Sequence, residues 1–170
     1  IYGQYLKDLD GGKRFFDAAD IEKLSVYEKK IDDQANAGTF EFFDLSIALM
    51  EKSVAKTQGW YREILASPFD FSQNEMLEAD GDKLAWAKDD AELRARWNKW
   101  MKYEVLSRVT DEQGKQEKAD FKGEKKDFAT LEKEQRAKVL DTYDKWFKRL
   151  QKLDRNRRLE IYLNSFTNVF

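Results

Sequence analysis

The apolar residues between Thr39 and Ala66 recur at helical spacing over the longest unbroken stretch of the chain. Steps of three and four residues place them on one face of an α-helix. A second apolar row widens that face, so we expect other helices to cover this one from more than one side. The first row contains Phe40, Phe43, Ile47, Met50, Val54, Tyr61 and Leu65, and the second contains Phe42, Leu45, Leu49, Trp60 and Ile64.

Two shorter helices are predicted before this central helix. Residues 1–9 have the pattern of a helix, which the breaker at residues 10–12 ends. A second helix is predicted from about Asp17 or Asp20 to Ala37, and Gly38 is placed to take the left-handed conformation that closes a helix. The buried face of the second helix contains Ile21, Leu24, Tyr27 and Ile31.

Pro68 is expected to end the central helix, because proline lacks a backbone donor and constrains the residue before it. Residues 69–71 are predicted to be extended, and residues 72–90 to form an ordered acidic loop with one short helical turn. A new helix is predicted near Asp89 or Asp90, where acidic side chains suit the helix N-terminus. That helix presents Leu93, Trp97, Trp100, Met101, Val105 and Val109.

Residues 110–127 are the most polar stretch, and they fit either a solvated extension of that helix or a mobile loop. A heptad-like stripe interrupted at Gln135 follows, and Asp154 or Asn156 can cap a last helix. Residues 1–170 are therefore predicted to form one all-α domain of about six helices. The stripe contains Phe128, Leu131, Val139, Tyr143, Trp146, Leu150 and Leu153, and the last helix carries Leu159, Tyr162, Leu163, Phe166 and Phe170.

Composition supports an all-α domain and excludes several classes of partner. Apolar residues make up 41% of the 170 positions and charged residues 38%, with Gly 8 and Pro 1, which is typical of helices rather than of a turn-rich β fold. The formal net charge of -2 gives no bulk attraction to nucleic acid. No apolar run approaches the roughly 20 residues that span a bilayer. We therefore expect neither a nucleic-acid partner nor a membrane span.

The absence of cysteine and histidine narrows the possible chemistry. Cys 0 and His 0 exclude disulfides, thiol catalysis, a Ser-His-Asp triad and the commonest zinc ligands. A calcium loop counted from Asp80 fails, because Ala85 stands where the turn glycine belongs and Ala91 where the bidentate carboxylate belongs. We therefore predict no metal, no cofactor and no catalytic residue in this chain.

Residue pairs that could support hydrolysis fit charged helix faces better. A Ser-Lys nucleophile needs an exposed hydroxyl and an oxyanion hole, and no glycine-rich turn accompanies these serines. Pairs of carboxylates beside lysines are ordinary on solvated helices. The pairs considered are Ser53 with Lys56, Ser25 with Lys29, Glu28 with Asp32, and Glu41 with Asp44.

A basic cluster near residue 150 can be interpreted in two ways. It could contact phosphates, but acidic residues interrupt it and cations suit a helix C-terminus near Leu153. A structural role is favoured. The cluster contains Lys145, Lys148, Arg149, Lys152, Arg155, Arg157 and Arg158.

Five tryptophans are many for this length, and most are expected in the core. The neighbouring bulky positions Trp97 and Trp100 are instead a possible partner surface, since exposed aromatic residues anchor interfaces. One interpretation is therefore a stand-alone helical binding module with an aromatic groove. The other tryptophans are Trp60, Trp86 and Trp146.

Several sequence blocks, in this order, resemble the helical N-terminal domain of tail-specific proteases, also called C-terminal processing peptidases. Their order and spacing over nearly the whole chain carry the resemblance, whereas Gly11 departs from the proline that the family commonly has there. The blocks are Tyr5-Leu6-Lys7-Asp8-Leu9-Asp10 with Lys13, Arg14, Phe15 and Phe16; Asp20-Ile21; Pro68-Phe69-Asp70-Phe71; Trp86-Ala87-Lys88 leading to Glu92-Leu93 and Trp97; and Glu160-Ile161-Tyr162-Leu163-Asn164-Ser165-Phe166.

The resemblance implies a bacterial, periplasmic serine protease that cleaves proteins at or near their C-termini. It implies a PDZ domain and a Ser-Lys catalytic core downstream, because Phe170 stands where the family runs into an Asp-Pro-His-Thr type segment. This chain is then expected to be a non-catalytic scaffold that packs against the protease body and positions substrate or an adaptor. The aromatic residues of the central helix would be core or domain contacts. A small carboxylate enzyme is a third hypothesis, which needs an acidic cleft with perturbed carboxylates.

Overall fold

The protein folds as an all-α domain, as the sequence predicts. The computed structural model describes residues 1–167, and the side chains of residues 1–166. Within those residues there is no β-strand, only a single parallel bridge between Asp17 and Ala87. The seven helices are α1 (Tyr2–Asp10), α2 (Ala18–Ser25), α3 (Ile31–Ala37), α4 (Glu41–Ile64), α5 (Asp90–Gln116), α6 (Phe128–Gln151) and α7 (Arg155–Thr167).

The central helix α4 is covered from several sides, as its two apolar rows predict. Helices α2, α5, α6 and α7 all pack against it. Phe42, Phe43 and Tyr61 are fully buried, which confirms that the aromatic residues of this helix belong largely to the core. The helix begins at Glu41 after Phe40, and neither Thr39 nor Phe40 caps it with a side-chain hydrogen bond.

The predicted second helix is wrong in one respect, because it is divided into α2 and α3. Residues 26–30 form turns closed by hydrogen bonds from Tyr27 N–H to the Leu24 carbonyl and from Lys30 N–H to the Tyr27 carbonyl. Each of these bonds joins residues three apart, as in a 3₁₀-helix. Tyr27 and Ile31 therefore still face the core, although the α-helix is interrupted. Gly38 has the predicted left-handed conformation, with a φ of 69°. The division gives seven helices where about six were expected.

Helices α5 and α6 make the most extensive helix pair and form one wall of the core. Asp89 and Asp127 cap their N-termini, accepting backbone N–H bonds at 2.9 and 2.8 Å. In the polar 110–127 stretch, both predicted structures occur. The first part extends α5 to Gln116, and the rest is a loop that leads to α6. Gln116 holds that loop, because its amide bonds to both the N–H and the carbonyl of Lys126.

The last two helices are formed as predicted, but the buried face of α6 differs from the predicted pattern at one point. Phe147 is fully buried and Trp146 only half-buried, so the stripe of α6 is shifted by one residue from the prediction there. Asp154 is the cap of α7, accepting from the N–H of Arg157 at 2.8 Å. Tyr162 is buried as predicted, whereas Phe170 lies outside the described residues.

Candidate protein-binding groove

A groove runs between α5 and the loop of residues 72–84. One half has a volume of about 360 Å³ and includes Trp97 and Trp100 in its lining. The other half, about 380 Å³, lies farther along α5 and shares Met76 and Lys99 with the first. We call the two halves together the α5 groove.

Ionic contacts hold the loop that forms the outer wall of the α5 groove. Lys102 pairs with Glu75, and its ammonium lies 5.6 Å from the centre of the Phe71 ring. Asp82 pairs with Lys7 of α1 at 2.6 Å. The predicted short helical turn in this loop is only a pair of overlapping turns at residues 80–84. The wall is therefore irregular backbone, positioned by side chains from α1 and α5.

Trp100 is the half-buried aromatic of the groove. Its indole N–H donates to the Tyr143 hydroxyl at 2.9 Å, which fixes the ring against α6. The guanidinium of Arg14 lies 3.8 Å from the ring centre, within the range of a cation–π contact. Trp100 can therefore offer an aromatic edge to a partner without leaving its hydrogen bond.

Trp97 belongs mainly to the core. Only 2% of the residue is exposed, and its indole N–H donates to the carbonyl of Arg14 at 2.7 Å. Its ring packs against Phe15, Tyr143 and Phe147. Of the two predicted partner residues, the structure thus gives Trp100 the larger accessible surface.

Three exposed apolar residues of the α5 groove were missed by sequence reasoning. Met76 is 89% exposed, Tyr103 50% and Leu106 37%. All three line the half that adjoins Phe71. The spacing of Trp100, Tyr103 and Leu106, each three residues after the last, is a signal that could have revealed the row on α5. Met76 has no such periodic signal, because it lies in irregular backbone.

The remaining tryptophans lie half-buried around the core. Trp86 has the ammonium of Lys13 5.2 Å from its ring centre, and Trp60 has that of Lys56 at 5.3 Å. Trp146 packs against the core ring of Phe147. All three pack against the core while remaining partly exposed.

The charges beside Trp97 and Trp100 are mixed but favour cations. Arg96 bonds to Glu92 at 2.6 Å, and Glu92 also accepts the backbone N–H of Lys88. The Lys88 bond and then Arg96 hold the pKa of Glu92 below its usual range. Arg14 and Lys99 also line the groove and form no ion pair among the described residues.

Neither Ser-Lys pair is joined by a hydrogen bond among the described residues. The Ser25 hydroxyl donates to the Glu22 carbonyl at 2.7 Å, the ordinary bond of a helical serine. Ser53 is 1% exposed, while the Lys56 ammonium bonds to Asp90 of α5 at 2.5 Å. Each lysine or serine is thus engaged structurally or faces solvent.

Two of the carboxylates considered, Asp44 and Asp80, have structural partners. Asp44 pairs with Arg155 of α7 at 2.8 Å, and the Asp80 carboxylate accepts the N–H of Asp82 within its own turn. No group of three potential acidic metal ligands occurs in the part of the chain that the structure describes. Burial raises the pKa of Asp10 to about 6, but its oxygens face backbone N–H groups rather than a cleft.

The basic cluster near residue 150 is also largely structural. Arg158 is buried and donates to the carbonyls of Leu150 and Leu153 at the end of α6. Arg155 and Arg157 pair with carboxylates. This arrangement agrees with the predicted affinity of cations for a helix C-terminus.

The fold and the groove define a small helical domain whose exposed aromatic and aliphatic side chains are of the kind that form protein contacts. None of the helices in residues 1–167 combines the length and the apolar character needed to cross a bilayer. Over residues 1–170 the sequence matches the family described as "Tail specific protease N-terminal domain". The chain belongs to that family.

A curated relative is similar over almost the whole chain. The "Tail-specific protease" of Haemophilus influenzae (strain ATCC 51907 / DSM 11121 / KW20 / Rd) is 24% identical over 168 residues, which are 98% of this chain. Those residues are 22% of the relative, so the chain spans about a fifth of the length of that protein. The expected family is therefore confirmed.

Proposed function

We propose that this domain is a non-catalytic helical scaffold of a larger tail-specific protease. The observation that carries the proposal is the family match over residues 1–170, which correspond to only 22% of the relative. The chemistry agrees, because the Ser25 hydroxyl, the Lys56 ammonium and the Asp44 carboxylate are each engaged in a structural bond.

The catalytic parts of the parent protein lie, in this proposal, outside residues 1–170. They comprise a Ser-Lys pair and a PDZ domain, and the parent cleaves proteins at or near their C-termini in the bacterial periplasm. The domain packs against the protease body and helps to position substrate or an adaptor. The name of the relative, a tail-specific protease, supports this activity.

The α5 groove is the surface through which we propose that the domain meets its partner. Met76, Tyr103 and Leu106 are three of the six exposed large apolar residues among those described, and they line the same half of the groove. Trp100 adds a rigid aromatic edge. A stand-alone binding module would use the same residues, so the groove alone does not separate the two functions.

The extent of the gene separates these functions. If the open reading frame continues into a PDZ domain and a Ser-Lys core, the scaffold proposal stands. A stop codon soon after Phe170 would instead favour the stand-alone module. In addition, the domain alone should not cleave unstructured peptides, and cleavage that persists after removal of contaminating proteases would contradict the proposal.

The role of the α5 groove can be tested in the parent protease. We expect Tyr103→Glu with Leu106→Glu to weaken the contact of this domain with the protease body or with a bound adaptor, measured by hydrogen exchange of the groove. Val26→Glu is a matched control, since Val26 is 59% exposed and lies in the turn between α2 and α3. Equal effects of the control and the groove variants would contradict the assignment.

A further inference from the structure

Three arginines that form no ion pair among the described residues line the same pocket. Of the ten arginines in the chain, six form ion pairs with carboxylates and Arg158 donates to two carbonyls. The other three, Arg14, Arg108 and Arg149, surround a pocket of about 210 Å³ between α5 and α6. The three arginines that have neither an ion pair nor a carbonyl partner among the described residues are therefore gathered at one pocket.

Arg14 is held rigidly at the junction of this pocket and the α5 groove. It lines both, and its guanidinium stacks 3.8 Å from the centre of the Trp100 ring. Its carbonyl accepts the indole N–H of Trp97, and its backbone N–H donates to Asp10 at 2.7 Å. Because both the backbone and the side chain are fixed, little conformational entropy remains to be lost when Arg14 binds an anion.

The other two arginines extend from the facing helices. Arg108 lies four residues after Glu104 on α5, and Arg149 lies three residues after Trp146 on α6, so each pair shares one helix face. Glu104 is the one carboxylate that lines the pocket, and it forms no ion pair with the three arginines among the described residues. Three guanidinium groups against one carboxylate leave the pocket lining with an excess of positive charge.

We propose that Arg14, Arg108 and Arg149 form an anion-binding site that takes carboxylate side chains from an acidic segment of a partner protein. The planar guanidinium binds a carboxylate through two parallel N–H bonds, and such bonds are about twice as strong as neutral ones. Trp146 and Tyr143 in the pocket lining supply aromatic surface for the apolar stems beside the carboxylates. The site adjoins the α5 groove through Arg14, whereas Arg108 and Arg149 do not line that groove.

Charge argues for an acidic protein segment rather than for a nucleic acid. Nucleic acids need an extended basic surface, whereas this chain has a net charge of -2 and acidic residues are interspersed among the basic residues of α6 and α7. A pocket of about 210 Å³ has room for one or two carboxylates. The surface is thus complementary to a short acidic motif.

The test measures binding of a synthetic peptide of alternating Glu and Leu to the full 170-residue chain by calorimetry. Arg side-chain and indole N–H signals are followed by NMR. We expect the Arg14 and Trp146 signals to shift, and Arg108→Gln with Arg149→Gln to weaken binding roughly tenfold, as expected for lost charged hydrogen bonds. The matched control is Arg157→Gln, which removes an exposed ion pair with Glu160 on α7 and should change the affinity by less than about twofold.

Three further probes can overturn the proposal. A peptide with Gln in place of Glu should not bind, and equal binding of that peptide would exclude carboxylate recognition. Inorganic phosphate and a mixed-sequence single-stranded oligonucleotide should bind more weakly than the acidic peptide. Tighter binding of either would assign the site to phosphate instead, and unchanged peptide affinity in the arginine variants would remove the site. Arg108 is half-buried and Arg149 exposed, and thermal melting checks that both variants fold.

Discussion

The carboxylate of Asp10, the last residue of α1, accepts a hydrogen bond from the backbone N–H of Phe16 at 2.8 Å. The same carboxylate accepts from the N–H groups of Arg14 and Phe15 at 2.7 and 2.9 Å. One side chain therefore holds the whole turn after α1. That turn places Phe15 and Phe16 in the core. It also places Arg14 in the lining of both the α5 groove and the pocket between α5 and α6.

Replacement of Asp10 by asparagine should destabilise the domain. An amide presents one acceptor and one donor, so its NH2 group must face at least one of the three backbone N–H groups. We expect a loss of about 1–3 kcal/mol in the free energy of unfolding, measured with urea. Asp8→Asn is the control, because Asp8 is exposed on the same helix and its carboxylate accepts a bond from the nearby Gln4 amide. Equal stability of the two variants would contradict the role of Asp10.

The same carboxylate makes stability depend on pH in a defined direction. Burial raises the pKa of Asp10 to about 6 from its ordinary 3.8, while the backbone N–H groups oppose the rise. Between these two values the native state binds more protons than the unfolded state, so this contribution to stability falls as pH rises. The advantage of the natural chain over Asp10→Asn should therefore be larger at pH 4.5 than at pH 7, by on the order of 2 kcal/mol. A larger advantage at pH 7 would show that the hydrogen bonds outweigh burial.

The sequence predicts the long helices but not the break between α2 and α3. Apolar periodicity predicts α1, α4, α5 and α6, because their buried faces repeat over many turns. It does not separate α2 from α3, since turn bonds between residues 26 and 30 keep Tyr27 and Ile31 on the same side as a helix would. Local spacing reports which side a residue faces, and backbone hydrogen bonding decides whether the helix continues.

The candidate site was only partly predictable for a related reason. Trp97 and Trp100 stand out by type, but their exposure depends on α6 and on residues 12–14, which are distant in sequence. Met76 lies in the 72–84 loop, whose position over α5 depends on contacts such as the pair between Lys102 and Glu75. Contacts between segments that are distant in sequence determine how exposed these three residues are. The spacing of apolar residues within one segment cannot predict such contacts.

Removal of the Tyr61 hydroxyl should weaken the contact between α4 and α6. The hydroxyl donates to Asp144 at 2.6 Å, and burial together with this carboxylate raises the pKa of Tyr61 to about 12. Tyr61→Phe keeps the buried ring and loses the bond, so we expect about 1–2 kcal/mol of destabilisation by urea unfolding. Tyr103→Phe is the control, since Tyr103 is 50% exposed, and it should change stability by less than about 0.5 kcal/mol.

A double-mutant cycle can isolate this interaction. If the bond accounts for the loss, Asp144→Asn should cost less in the Tyr61→Phe background than in the natural chain. Additive losses would show that the two side chains act independently.

Alanine substitutions at Trp97 and Met76 should differ in their effect on stability, because Trp97 is a core residue and Met76 a surface residue. Truncation of Trp97 to alanine removes a ring packed between Phe15 and Phe147 and should cost about 3–5 kcal/mol. Met76→Ala should leave stability within about 0.5 kcal/mol, because the residue is 89% exposed. Thermal or urea unfolding measures both. If Trp97→Ala changed the free energy of unfolding only slightly, Trp97 would be an interface residue, as the sequence suggests, and not a core residue.

Two glycines should respond to alanine in opposite directions. A Cβ atom on Gly81 would lie 1.8 Å from the carbonyl oxygen of Gly11, so the 80–83 turn packs directly against the backbone after α1. Gly81→Ala must move one of these segments, and we expect a loss of about 1–3 kcal/mol together with disorder at the end of the α5 groove. A Cβ on Gly59 meets nothing within 4 Å in the middle of α4, so Gly59→Ala should stabilise the helix by about 0.5–1 kcal/mol. Urea unfolding of both variants checks the signs, and a Gly81→Ala variant as stable as the natural chain would mean that the loop and α1 do not approach this closely in solution.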